Sequence, residues 1–271
     1  MSSLPQVSPD WLLLRADADD RSRSSELAQE AAALLPPGRQ VVHDLGSGSG
    51  AMMRWLAPRL PGPQRWVLHD ADAGILEHRD PEQVVDASGR PVVCRTSVED
   101  LADLDAPALA SATLVVASAL LDVITEGEAS TIVDACVEIG APVLFSLTVA
   151  GRVELEPPDD ADQLFADSFN AHQRRDADGR SLLGPDAVGV VSDLFAVAGW
   201  QVRTVKTPWT LAPADGGLIT EWLDGWLQAA IEQQPELGGL ADQYRARRLD
   251  QLTAGELRVV VHHVDVLAWP V

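Results

Sequence analysis

Ten residues constrain this chain more than any others. Val41-Val42-His43-Asp44-Leu45 runs into Gly46-Ser47-Gly48-Ser49-Gly50, and a helical pattern follows with Met52, Trp55, Leu56 and Leu60 on one face. A short apolar strand, a glycine loop and a helix in that order form the context a nucleotide-binding loop requires. The glycines permit a tight turn and let a ligand lie against bare backbone. Asp70 comes 20 residues after Gly50, at the end of the next apolar run, Arg65 to His69. From a strand end its carboxylate can accept both hydroxyls of a ribose in charge-assisted bonds. Loop and acid together point to a nucleoside ligand.

The rest of the chain extends the same rhythm. Residues 24–35 read as a helix stopped by Pro36, Pro37 and Gly38. Gly74 to Glu77 reads as a further helix, and strands are expected around Val92–Arg95, Ala112–Ala117 and Pro142–Thr148, with a helix over 128–140. Near-continuous apolar strands alternating with helices predict a doubly wound, mostly parallel sheet covered on both faces. The tail departs from this. A helix over Pro185–Ala198, a strand over Trp200–Leu211, helices over 216–233 and 237–253, and a strand over Leu257–Trp269 suggest a late antiparallel pair. The 271 residues suit one domain, divided as a helical cap over 1–38, a nucleotide-binding core over 39–150, and insertions over 151–183 and 212–256 that cap the substrate.

Charge narrows the partners. Acids outnumber bases 41 to 20, a formal net charge of −21, which disfavours nucleic acid and anionic membrane surfaces. The longest uncharged run, Ala106 to Leu121, is too short for a membrane span, and the amino-terminal residues do not resemble a signal peptide. Two cysteines, Cys94 and Cys136, exclude a disulfide scaffold and suit a cytoplasmic location. No spacing of His with acids argues for a metal.

The loop also fits a dinucleotide pattern, G-x-G-x-x-A, ending at Ala51. Asp44 argues against it, since a pyrophosphate on the loop would meet its charge. A cationic ligand would be favoured there. Asp44 to Gly50 resembles the first motif of the class I S-adenosylmethionine-dependent methyltransferases: an acid, an apolar residue, then G-x-G-x-G. Asp70 in Val67-Leu68-His69-Asp70-Ala71-Asp72 resembles the second. Ser97-Val98-Glu99-Asp100-Leu101 matches the third in spacing, with Ser97 where an acid is usual, and Ala112 to Leu121 resembles the fourth.

The resemblance implies a Rossmann-like, seven-stranded sheet with an antiparallel final strand, S-adenosylmethionine as cofactor, and methyl transfer to a small-molecule acceptor. It implies donor contacts at Asp44, Gly46, Ser47, Gly48 and Gly50, at Asp70 and Ala71, at Ser97 and Val98 near the adenine, and at Ser118. Two other readings stand beside it: an NAD(P)-dependent oxidoreductase, and a donor-binding homologue without catalysis.

A base is needed only if the acceptor must lose a proton. The polar cluster Phe169 to Arg175 makes His172 the first candidate, with Asn170, Gln173 and Arg174 to orient an acceptor; a solvated helix face explains the cluster equally well. Asp122 is a second candidate, also explained as a helix-start acid. His43, His69, His262 and His263 read as hydrogen-bonded core histidines. Trp222 and Trp226 share a broad apolar face that suits core packing, a homodimer contact, or a wall of the acceptor pocket. Arg15, Arg21 and Arg23 read as a solvated stretch, or as a clamp over acceptor or donor.

Overall fold

The computed structural model describes residues 8–77, 83–101, 104–177 and 179–271. Helix α1 (Pro9–Ser22) starts at Ser8, whose hydroxyl accepts a hydrogen bond from Trp11 N, with Pro9 at the first helical position. Ser24 caps α2 (Ser25–Leu34) through Leu27 N. Then come β1 (Gln40–Leu45), α3 (Ala51–Leu56), β2 (Gln64–Asp70), α4 (Ala73–Glu77), β3 (Val93–Val98), β4 (Leu114–Ser118), α5 (Glu126–Ile139) and β5 (Val143–Glu156). The second half contains α6 (Asp162–Gln173), a small hairpin of β6 (Asp176–Ala177) and β7 (Arg180–Ser181), α7 (Ala187–Val197), β8 (Gln201–Lys206), β9 (Trp209–Leu211), α8 (Gly216–Gln233), α9 (Gly238–Thr253) and β10 (Arg258–Trp269).

The main sheet runs β3-β2-β1-β4-β5-β10-β8, with β9 also paired to β10. Strands β1 to β5 pair in parallel, and β10 is antiparallel to β5, β8 and β9. Strand alternation divides the core. Val115, Ala117, Val143 and Phe145 pack under α5 and α7. Leu114, Val116 and Leu144 face the opposite layer, with Leu27 of α2 and Met52, Trp55 and Leu56 of α3. Each large apolar side chain so buried contributes about 1.5–3 kcal/mol over leaving it in water.

Two strand expectations need correction. Strand β5 does not stop near Thr148 but continues to Glu156, because Gly151, with φ of 70°, absorbs an irregularity that does not end the strand. Its extension pairs with Arg258–Val261 of β10, and together they carry a third apolar cluster built with α6, α8 and α9. The expected strand over Trp200–Leu211 is two strands, broken at Thr207-Pro208. Proline has no N–H for the ladder, and the Thr207 hydroxyl donates to Asp265. The main sheet therefore has eight strands where seven were expected.

Buried Asp265 on β10 ties the layers together. One oxygen accepts from Ser24 N between α1 and α2; the other accepts from Leu147 N of β5 and from Thr207. This anchors the end of α1 over the carboxyl ends of the parallel strands.

Candidate functional site

Where β1 ends, the chain makes a loop with alternate residues in the left-handed region: φ is 59° at Gly46 and 54° at Gly48. A Cβ on Gly46 would lie 2.7 Å from a methyl of Leu120, so that position needs glycine on both counts. The loop is held from β2: Ser47 N donates to His69 O at 2.9 Å, and Gly48 N donates to Asp70 Oδ2 at 2.8 Å. Asp70 Oδ1 accepts from Asp72 N at 3.0 Å. Asp72 in turn accepts from Gly74 N and Ile75 N, so it caps the start of α4. Asp70 is therefore both a strand-end acid and the brace of the glycine loop.

Asp44 is fully buried, and neither of its carboxylate oxygens has a hydrogen-bond partner. Burial pushes its carboxyl up to about 8, and nearby Asp70 adds to the rise. Arg23 is the strongest opposing influence, with Arg54 weaker. An orphaned buried carboxyl is costly, of the order of 1–3 kcal/mol. Ser47 Oγ beside it is also buried without a partner.

These groups open on a cavity of about 390 Å³. Its floor is the glycine loop with Asp44; one side is Asp70 to Ile75, and the other is Ser118 to Leu120 with Val123. Ala119 holds φ of 52°, a costly conformation for a residue with a side chain, at the end of β4. Helix α1 forms the roof through Leu12, Arg15, Asp19 and Arg23. Arg15 makes a two-pronged bond to Asp19 at 2.9 and 3.1 Å and lies over the Trp209 ring at 4.9 Å. Trp209 Nε1 donates to Asp19 Oδ1 at 3.0 Å. Arg23 is buried and donates to Asp20 at 2.6 Å and to Ser118 Oγ at 3.1 Å. The solvated reading of these arginines thus fails for Arg23 and holds for Arg21, which is half exposed and pairs with Asp215.

Of the expected donor contacts, the cavity gathers Asp44, Gly46, Ser47, Gly48, Asp70, Ala71 and Ser118. Gly50 shapes the end of the loop, with φ of 81° at the start of α3. Ser97 and Val98 do not line the cavity; Val98 is exposed at the end of β3. The sequence placed a helical cap over 1–38 but read its helix only over 24–35; the roof is formed by α1, which went unread although Ser8-Pro9 is a helix-start signal.

His172 is not brought to the cavity. It sits at the end of α6, buried, 3.6 Å from Glu232 of α8, and burial holds its imidazole below the usual range, with Arg175 adding to this and Glu232 opposing it. Around it, Asn170 donates to Gly151 O and Arg174 pairs with Asp186. This cluster holds α6 in place. Asp122 lies in the single turn Leu121–Val123 after β4, and burial raises its carboxyl.

The other polar candidates are also structural. His43 Nδ1 and His69 Nε2 lie 2.8 Å apart, and His69 pairs with Glu99. The His263 ring lies 5.2 Å from that of Trp209, tilted by 54°, and His262 pairs with Glu154. Trp222 and Trp226 stack at 5.3 Å within the third cluster, the packing alternative of their reading. The described residues of the two expected caps, 151–183 and 212–256, contribute no lining to this cavity. Among the described residues, no group of His, Cys, Asp and Glu could hold a metal, and no helix is long and apolar enough to cross a membrane.

No protein-family model matches the sequence, and no curated protein does. Solved structures do match. The chain is similar to a cyclopropane synthase from Mycobacterium tuberculosis, with 14% identity and a TM-score of 0.53 over 97% of this chain and 94% of that one. It is also similar to a cyclopropane-fatty-acyl-phospholipid synthase-like protein from Lactobacillus casei, with 14% identity and a TM-score of 0.51 over 98% and 96%. The chain has the Rossmann-like methyltransferase fold. Within that fold, the cavity lies at the carboxyl ends of the parallel strands, where open α/β sheets bind ligands.

Proposed function

We propose that the chain is an S-adenosylmethionine-dependent methyltransferase acting on a small-molecule acceptor. The observation that carries this reading is Asp44, buried under the glycine loop with both oxygens unpartnered. A ligand bringing positive charge would complete that carboxylate, whereas a pyrophosphate would be repelled by it. The acidity of the chain supports a small acceptor over nucleic acid. Its content of only two cysteines, Cys94 and Cys136, supports a reducing, cytoplasmic setting.

The residues present fit the donor. Asp44 and Ser47 have unused hydrogen-bonding atoms for its amino-acid end. Asp70 uses one lone pair of each oxygen on Gly48 N and Asp72 N, which leaves the others for ribose hydroxyls. When bound, the donor supplies a methyl group already activated for in-line displacement. The work left to the protein is alignment and exclusion of water. Asp44 and the loop amides hold the charged end; Asp70 orients the sugar and keeps the loop in shape. Helix α1 roofs the site, while Leu12, Leu120 and Val123 offer the acceptor an apolar wall. If the acceptor must lose a proton, Asp122, next to cavity-lining Val123, is better placed than His172.

Calorimetric titration of the full chain with S-adenosylhomocysteine and with NAD tests the reading. Micromolar binding of the first and none of the second is expected. The reverse pattern would make the chain a dinucleotide enzyme.

A further inference from the structure

The cavity contains two buried ionisable groups of opposite charge type, and each has an unsatisfied atom. Asp44 lacks partners for both oxygens, and Arg23 lacks one for Nε. The Arg23 side chain is only 1% exposed. It is also fixed in place. Its guanidinium lies 5.7 Å from the centre of the Trp55 ring, Nη1 is bound to Asp20, and Nη2 is bound to Ser118 Oγ at the end of β4. Trp55 Nε1 donates to Asp20 O, which locks the ring to the same turn of α1.

The other acids nearby do not relieve it. Asp19 is occupied by Arg15 and Trp209 and comes no closer to Arg23 than 3.8 Å. Asp20 is half exposed and reaches only Nη1. Arg15, the other cation lining the cavity among the described residues, is already committed to Asp19. An Arg with a free buried N–H beside a carboxylate with two free oxygens is complementary to a zwitterion that carries its ammonium and carboxylate on the same carbon.

We propose that Arg23 binds the α-carboxylate of the donor's amino-acid tail while Asp44 binds its ammonium, so that α1 supplies a binding residue to the site and does more than cover it. This rests on the donor reading above and deepens it. The guanidinium would discriminate between nucleoside sulfur compounds that keep the carboxylate and those that have lost it. Because Arg23 is already immobilised by Trp55, Asp20 and Ser118, little side-chain freedom is left to lose on binding.

The test is calorimetry on the full chain with three probes: S-adenosylhomocysteine, its decarboxylated amine analogue, and 5′-methylthioadenosine, which lacks both charged groups. The wild type should bind S-adenosylhomocysteine roughly 10- to 100-fold more tightly than the decarboxylated analogue, the range for one lost charged hydrogen bond. Arg23→Gln should abolish that preference and leave methylthioadenosine affinity unchanged, whereas a purely structural role would weaken all three probes together. Arg23→Lys should retain part of the preference. Equal wild-type affinity for S-adenosylhomocysteine and its decarboxylated analogue would overturn the assignment without recourse to any variant. So would a folded Arg23→Gln protein that discriminates as well as the wild type. Binding of none of the three probes by the wild type would instead overturn the donor reading itself, and this assignment with it.

Discussion

Asp44 links ligand binding to protons. Its carboxyl is raised by burial to about 8, so near neutrality much of the free protein carries it protonated. A cationic ligand binds the ionised form. Affinity for S-adenosylhomocysteine should therefore rise as pH increases from 6 to 8 and then level off, with a proton released on binding. Asp44→Asn should flatten that profile, as read by calorimetry in buffers of different ionisation enthalpy. Stability of the free protein should move the opposite way. The folded state holds this proton more tightly than the unfolded chain, so its contribution is full below the ordinary carboxylate range and is lost as pH rises towards 8. Thermal melts at pH 8 should accordingly find free Asp44→Asn more stable than the wild type, by an amount on the order of 1–3 kcal/mol, with the difference vanishing near pH 4. Position and charge type of Asp44 and Asp70 were legible because both adjoin a glycine loop in a strand-turn-helix frame. The lack of partners at Asp44 was not, since it depends on which side chains arrive from α1.

At the level of elements, the glycine loop and α1 meet. A Cβ on Gly48 would sit 3.2 Å from Leu12 of α1, on a residue whose φ of 54° disfavours side chains. Gly48→Val should abolish S-adenosylhomocysteine binding and lower stability by roughly 1–2 kcal/mol, the penalty for a left-handed residue with a Cβ; calorimetry and a thermal melt check both. The strands that build the site, β1, β2 and β4, were readable from apolar runs bounded by turn residues. The extension of β5 was not, because Gly151 reads as a breaker yet serves as an irregularity within a continuing strand. The polar run around His172 gave a misleading signal for the same kind of reason. Asn170 and Arg174 are spent on Gly151 and Asp186, contacts set by how α6 packs. Within the expected cap over 1–38, α1 itself was hard to read because most of its apolar residues are exposed or half-buried and only Ala18 and Asp19 are buried.

Across the whole molecule, binding and the docking of α1 should be one equilibrium. Ligand contacts to the underside of α1 favour its closed position by mass action. Limited trypsin digestion should therefore cut after Arg15, Arg21 and Arg23 more slowly with S-adenosylhomocysteine present, while cuts after Arg245 and Arg247 in α9 keep their rate. Equal protection at both ends, or at neither, would separate α1 from the site. The fold class was legible from the alternation of strands and helices; the role of the late insertions was not. Residues 151–183 and 212–256 looked like caps over a ligand, and the structure uses their helices to build a separate apolar cluster on the far reach of β5 and β10.

Those two long strands have a mechanical consequence. They pass without interruption from the layer beneath the cavity into the helical half, like rails shared by two carriages. Asp265 clamps them beside the point where α1 hands over to α2. Repacking Phe165, Trp226 or Tyr244 at one end would thus strain the strands that hold the junction of α1 and α2 at the other, giving the far half of the protein leverage over how the roof is seated.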